Sequence, residues 1–161
     1  MAIFMKHPRI AGEVTADGYQ GWVELTGLSW SVARGLSEGA GASSGRDAAA
    51  VTLSDVACAR TVDIATIPLL QESLSGRRDA SVQIHLTVTG ADGRHVAQRE
   101  ITLSSVQVTS YQIKGASSDG SAPPQETFTL SFTGIENRFQ ELDRDLRRRR
   151  TIAARHQMGS R

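Results

Sequence analysis

Gly41-Ala42-Ser43-Ser44-Gly45 is the one stretch of this sequence that formally matches a catalytic motif, the G-x-S-x-G nucleophile elbow of serine hydrolases. The elbow works because a strand enters it, a helix leaves it, and a strained turn lifts the serine hydroxyl clear of the backbone. Here the pentapeptide lies inside a long run of small residues, and the segment after it reads as a strand. The motif lacks its scaffold, and the chain reads as non-enzymatic. His7, His85, His95 and His156 are scattered, with no H-E-x-x-H spacing and no clustered carboxylates, so neither a metal site nor a cofactor is expected. His85 and His95 could meet across a hairpin, where two exposed imidazoles would be solvated. Cys58 is the only cysteine, so no internal disulfide can form, and its apolar-rich run, Val51 to Cys58, makes it a small buried hydrophobe.

Arg147-Arg148-Arg149-Arg150 is the remaining chemical signal, one that suggests an acidic surface or nucleic acid. Residues 138 to 161 carry eight Arg against three acids, a charge of +5, so the first 137 residues hold −4 of the chain's net +1. On a helix four successive arginines point in every direction, and no aromatic is interleaved for base stacking. The run therefore reads as a solvated or protein-docking tail, with nucleic acid unlikely by that measure. No stretch approaches the roughly 18 apolar residues that a membrane span needs. The start, Met1 to Pro8, has neither an apolar core nor a cleavage site of a secretory signal, so any export is expected by another route.

The elements that must carry these residues are mostly strands, because period-two alternation dominates. Val82 to Thr89 places Val82, Ile84, Leu86 and Val88 on one face; the turn Gly90-Ala91-Asp92-Gly93 and a return strand from Val96 to Leu103 make a hairpin. Val106 to Lys114 reads as a further strand and Gly115 to Gln125 as a loop. Thr127 to Thr133 is a strand with Phe128, Leu130 and Phe132 inward. Near the start, Ile3 to Lys6 and Trp22 to Leu25 are strands; in Leu28-Ser29-Trp30-Ser31-Val32 the large residues share one face and the serines the other. Residues 33 to 50 form a long Gly/Ala/Ser loop, a length that is usually functional or disordered.

One helix is expected from Thr66 to Gly76, with a hydroxyl cap, Pro68 in the first turn and a terminal glycine; Ile67, Leu70 and Leu74 form its apolar stripe. Arg138 to Ala154 reads as a second, charged helix whose narrow stripe is Phe139, Leu142 and Leu146. Together these patterns predict a mainly β fold, a small closed or nearly closed barrel of two antiparallel sheets with one short helix and a charged helical extension. The expected division is 1–137 for the β domain and 138–161 for the extension.

Several stretches in this order resemble haemolysin-coregulated protein (Hcp), the family of inner-tube proteins of the bacterial type VI secretion system. They are Phe4-Met5-Lys6; Gly12-Glu13-Val14 with Asp17-Gly18-Tyr19-Gln20-Gly21-Trp22-Val23-Glu24-Leu25; Leu28 to Val32; the Pro68-Leu69-Leu70 helix ending at Gly76; and Glu126 to Glu136. The resemblance covers about residues 1 to 136. The chain departs from it at His7-Pro8-Arg9, at one extra residue between Asp63 and Pro68, and in the Arg-rich extension, which is too short for an enzymatic effector domain.

The resemblance implies a barrel with one flanking helix, six copies of which form a ring. Rings would stack into a hollow tube that a contractile sheath fires from the cell together with spike and baseplate proteins, with small effector proteins in the lumen. Such a protein is assembled in the cytoplasm, exported without a signal peptide, and found outside the cell or in target cells. In that frame Ser29 and Ser31 are expected to line the lumen. Gly35, Leu36, Gly39, Gly41, Gly45 and Arg46 are expected in a loop that stacks rings, and Phe139, Leu142 and Leu146 should dock the extension. The alternative is a stand-alone β-barrel adaptor that binds nucleic acid or an acidic partner through the Arg-rich tail.

Overall fold

The computed structural model describes residues 1–35, 51–115, 117, 120 and 122–158. Among the described residues alternation is realised as eleven strands, with one helix. A nine-stranded antiparallel sheet takes β1 (Ala2–Lys6), β2 (Val23–Leu25), β3 (Gly27–Ser29), β6 (Val56–Thr61), β7 (Ala80–Thr89), β8 (His95–Lys114), β9 (Gln125–Ser131), β10 (Gly134–Leu142) and β11 (Arg148–Gln157). The main path runs β2-β1-β7-β8-β9-β6-β3, with β10 and then β11 branching from β8. A separate ribbon pairs β4 (Val32–Arg34) with β5 (Val51–Leu53).

The two predicted strands between Val96 and Lys114 are one strand, β8, which turns a corner. Its first part pairs with β7 and β10, its last part with β9. At the corner Ser105 adopts φ 50°, a left-handed conformation that costs a side chain energy, and the pairing with β7 shifts register there. The bend lets both arms of the sheet face a common core of Val82, Ile84, Ile101, Leu103, Phe128, Leu130 and their neighbours. Burying each such side chain removes it from water at a gain of about 1.5–3 kcal/mol. Of the closed or nearly closed barrel that was expected, the closed form is not observed among the described residues, because the hydrogen-bonded path is open. Its two end strands, β2 and β3, do not pair with each other; they are consecutive in the chain, and Thr26 between them bonds its N–H to the carbonyl of Ala59.

The predicted helix is α1 (Thr66–Ser75), closed by Gly76 at φ 66°, where a β-carbon would be strained. Its start differs from expectation. The N-cap is Ala65, without a side-chain cap; Thr66 Oγ1 accepts the Asp63 N–H at 3.2 Å, and Asp63 Oδ1 accepts the Ala65 N–H at 2.7 Å. The buried face is also different: Leu69 and Glu72 turn inward, while Ile67 and Leu74 of the expected stripe are largely exposed. Three apolar positions over two turns were too few to fix the helix's rotation; the face that packs on the core carries Ala65 and Leu69, and Glu72 beside them pairs with Arg9.

The larger correction concerns the C-terminal residues. Arg138 to Ala154 is no helix: β10 pairs with β8 from Gly134 to Phe139, and β11 returns along β10 as a hairpin. Phe139, Leu142 and Leu146 therefore share no helical face. Phe139 is 45% exposed on β10, Leu142 ends that strand, and Leu146 occupies the turn at φ 57°. Asp143 makes the turn. Its backbone N–H reaches Arg147 O, and its carboxylate accepts the N–H groups of Asp145 at 2.9 Å and Arg147 at 2.8 Å. Of the three, Leu146 does pack against the body, beside Gly90 in the β7–β8 turn.

Candidate interaction surfaces

Chemistry-bearing residues gather in three places. The first is buried. In β6, Val56, Cys58 and Arg60 alternate inward; in β9, Glu126, Phe128 and Leu130 do the same, and the register sets Arg60 opposite Glu126. Both are fully buried and form an ion pair. Glu126 also accepts hydrogen bonds from Tyr111 Oη at 2.6 Å and Thr66 Oγ1 at 3.1 Å, and Arg60 pairs with Asp63. Burial, with the Glu126 carboxylate beside it, pushes the Tyr111 hydroxyl up to about 12, so it remains a proton donor to Glu126 at neutral pH. The cluster ties β6, β8 and β9 to the start of α1. It is closed to substrate, and its chemistry is that of a strut.

The second place is an aromatic cluster on the outer face of β1 and β7. Phe4 and Tyr19 are buried there, with ring centroids 4.6 Å apart, and the Trp22 and His85 rings meet at 4.8 Å with their planes tilted by 55°. Tyr19 Oη meets His85 Nδ1 at 3.1 Å. The covering segment is held because Gly12 lets the chain approach Trp22, where a β-carbon would lie 2.2 Å from the Trp22 carbonyl oxygen. Burial holds the His85 imidazole below its ordinary value, so it is neutral at pH 7. His85 is half-buried rather than exposed, and it is not hydrogen-bonded to His95, whose Nδ1 lies 3.2 Å from Thr89 Oγ1. A hollow of about 470 Å³ beside the cluster is lined by Trp22, His85, Arg94 and Arg147 among others.

The third is the surface around β10 and β11. All ten residues of β11 are exposed, including Arg148, Arg149 and Arg150. Glu136 of β10 pairs with Arg155 at 2.5 Å and with Arg138. Trp30, between β3 and β4, is half-buried beside this hairpin. Ser29 and Ser31 flank it and both hydroxyl-bearing residues are exposed, but Val32, expected to share the core with Leu28 and Trp30, is 56% exposed. The strand expected from Leu28 to Val32 is split between β3 and β4.

Of the residues expected to stack rings, Gly35 is exposed at the end of β4, and Leu36, Gly39, Gly41, Gly45 and Arg46 lie outside the described residues, as does the whole Gly41–Gly45 motif. Cys58 is buried, and burial pushes its thiol up to about 12, which leaves it without nucleophilic thiolate at neutral pH. Among the described residues no group of three His, Cys, Asp or Glu is placed to hold a metal ion, and no helix is long and apolar enough to cross a membrane.

Fold and surfaces together define a β-sheet building block, one whose distinctive groups either brace its interior or lie on its faces. The family model described as type VI secretion system effector, Hcp, matches residues 4–139. The chain belongs to the Hcp family and is a tube subunit of the type VI secretion system. Solved structures share the fold. A type six secretion system protein matches with a TM-score of 0.82 at 22% identity, over 94% of this chain and 91% of its own. Hcp1 from Salmonella typhimurium matches with 0.75 at 20%, over 98% and 94%, and a type VI secretion system effector from Yersinia pestis with 0.73 at 20%, over 97% and 99%. The family model ends at residue 139, within β10, and the chain continues from there through the rest of the β10–β11 hairpin. No curated protein matches the sequence.

Proposed function

We propose that six copies of this chain close into a ring, that rings stack into a hollow tube, and that the tube is driven out of the cell by a contracting sheath with its spike and baseplate. The observation that carries this reading is the family match over residues 4–139, nearly the whole β body. The work of such a protein is interface burial, and no catalytic role is assigned to any residue. Symmetric closure suits a sheet with open edges, because identical neighbours cover them without open-ended aggregation.

In this reading the exposed hydroxyls of Ser29 and Ser31 face the lumen, where small polar groups would hold small effector proteins loosely enough to release them. Gly35, Leu36, Gly39, Gly41, Gly45 and Arg46 serve ring-on-ring stacking. Export follows the tube itself. The test is secretion from a bacterium whose type VI system fires: the protein should reach the medium, and deleting the sheath gene should retain it inside. Release that continues undiminished without the sheath would overturn the reading.

A further inference from the structure

We infer that the concave face of the β10–β11 hairpin seats the next copy of this chain in the ring, with the basic β11 edge of one subunit against the acidic β2 edge of its neighbour. The inference rests on the ring reading above and names its contact. It starts from the register. The inward face of the sheet passes from Leu103 to Ile135 to His156, and from Ile101 to Asn137 to Ala154. Ile101 and Leu103 are sealed in the core, as is Ile135, 7% exposed. One pair further along, Phe139 and Ile152 occupy the same face and are 45% and 55% exposed. The core face of the sheet thus runs on past its own cover.

Two adjoining hollows of about 560 and 200 Å³ lie over it and share Trp30, Asn137 and Ala154; Val32 and Val51 of the β4–β5 ribbon continue the apolar floor. A contiguous apolar surface of this kind on a subunit marks an interaction site. The edge beside it is also open. Strand β11 pairs with β10 alone, so one side of its ten-residue backbone has no ladder partner among the described residues.

Charge selects the occupant. Arg144, Arg147, Arg149 and Arg150 make no ion pair among the described residues. Two β11 edges brought together would set arginine clusters side by side, so a two-fold contact is repelled. At the far end of the sheet path, the exposed Glu13 and Glu24 are equally unpaired and wall a hollow of about 240 Å³ with Asp63 at β2. A head-to-tail contact joins these unlike edges, and a head-to-tail contact is the kind that closes into rings.

The experiment compares masses in solution by native mass spectrometry and light scattering for the full chain and two double variants, Arg149→Glu/Arg150→Glu and Glu13→Arg/Glu24→Arg. All four positions are exposed, and circular dichroism checks that each variant folds. Alone, each variant faces like charge at every contact, and its half-assembly concentration should rise at least about tenfold, the scale of close charge-pair coupling. Mixed in equal amounts, the two should assemble again as rings of three and three, because every contact in an alternating ring is complementary. Variants that assemble like the wild type, or a mixture that stays apart, would overturn this contact while leaving the ring reading standing. A wild type that is monomeric and is retained on double-stranded DNA would remove both.

Discussion

Arg60 and Glu126 were the residues the sequence hid in plain view. Read by type, both belong at a surface; read by position, both fall on the inward phase, Arg60 after Val56 and Cys58, Glu126 before Phe128 and Leu130. That phase was the usable signal. Because the pair is fully buried, removing one partner strands a charge. Glu126→Gln should cost about 3–5 kcal/mol by chemical denaturation. A loss below about 1 kcal/mol would mean that the network does not brace the fold. His85 makes a pH prediction. Burial holds its imidazole, like that of His7, below the ordinary 6.5, with Glu100 opposing and Arg148 assisting. The unfolded chain then binds protons the native one refuses, so their contribution is complete above pH 6.5 and fades as pH falls through the lowered native values. At fixed protein concentration, His85→Gln should flatten the stability curve below pH 6.5 relative to wild type. An unchanged slope would show that His85 is not the group titrating.

Elements differed in how plainly they were written. Phe128, Leu130 and Phe132 were legible because strict alternation puts all three in the core, where they are 1%, 0% and 4% exposed. The β7–β8 hairpin was legible from its Gly-Ala-Asp-Gly turn, whose Gly93 N–H bonds Gly90 O at 3.0 Å. The C-terminal hairpin was not, since Phe139, Leu142 and Leu146 also fit a helical period, and local spacing cannot reveal that β8 offers β10 a free edge. The turn at Asp143 carried the missing signal, an acid two residues before another acid, with no apolar residue between. Hydrogen exchange tests the hairpin directly. The Phe139 to Glu141 and Arg150 to Ile152 amides that join the two strands should exchange slowly, whereas a frayed or helical tail would lose that pairwise pattern. Ser105 offers a backbone test. Its side chain is exposed and its φ is 50°, so Ser105→Val should cost about 1–2 kcal/mol through strain at the β8 corner alone. No loss would mean that the corner relaxes.

At the scale of the molecule, the fold class was readable from alternation, turns and one helix; the assembly came only through family resemblance, because a single chain's pattern marks its own core and not its neighbour's. What the structure adds is the unfinished quality of the subunit: a core face that continues past Phe139 and Ile152, an open β11 edge, and unpaired charge of opposite sign at β2. In the proposed reading the Gly39 to Gly45 segment serves ring stacking. Deleting it should leave six chains per ring and reduce tube formation seen by electron microscopy, and normal tubes would reassign the segment. Everything above the subunit rests on the ring. Light scattering of the wild-type protein at micromolar concentration measures it most directly. Six chains of 17.3 kDa give a particle of about 104 kDa, which the account predicts; a species of 17.3 kDa at every concentration would contradict it.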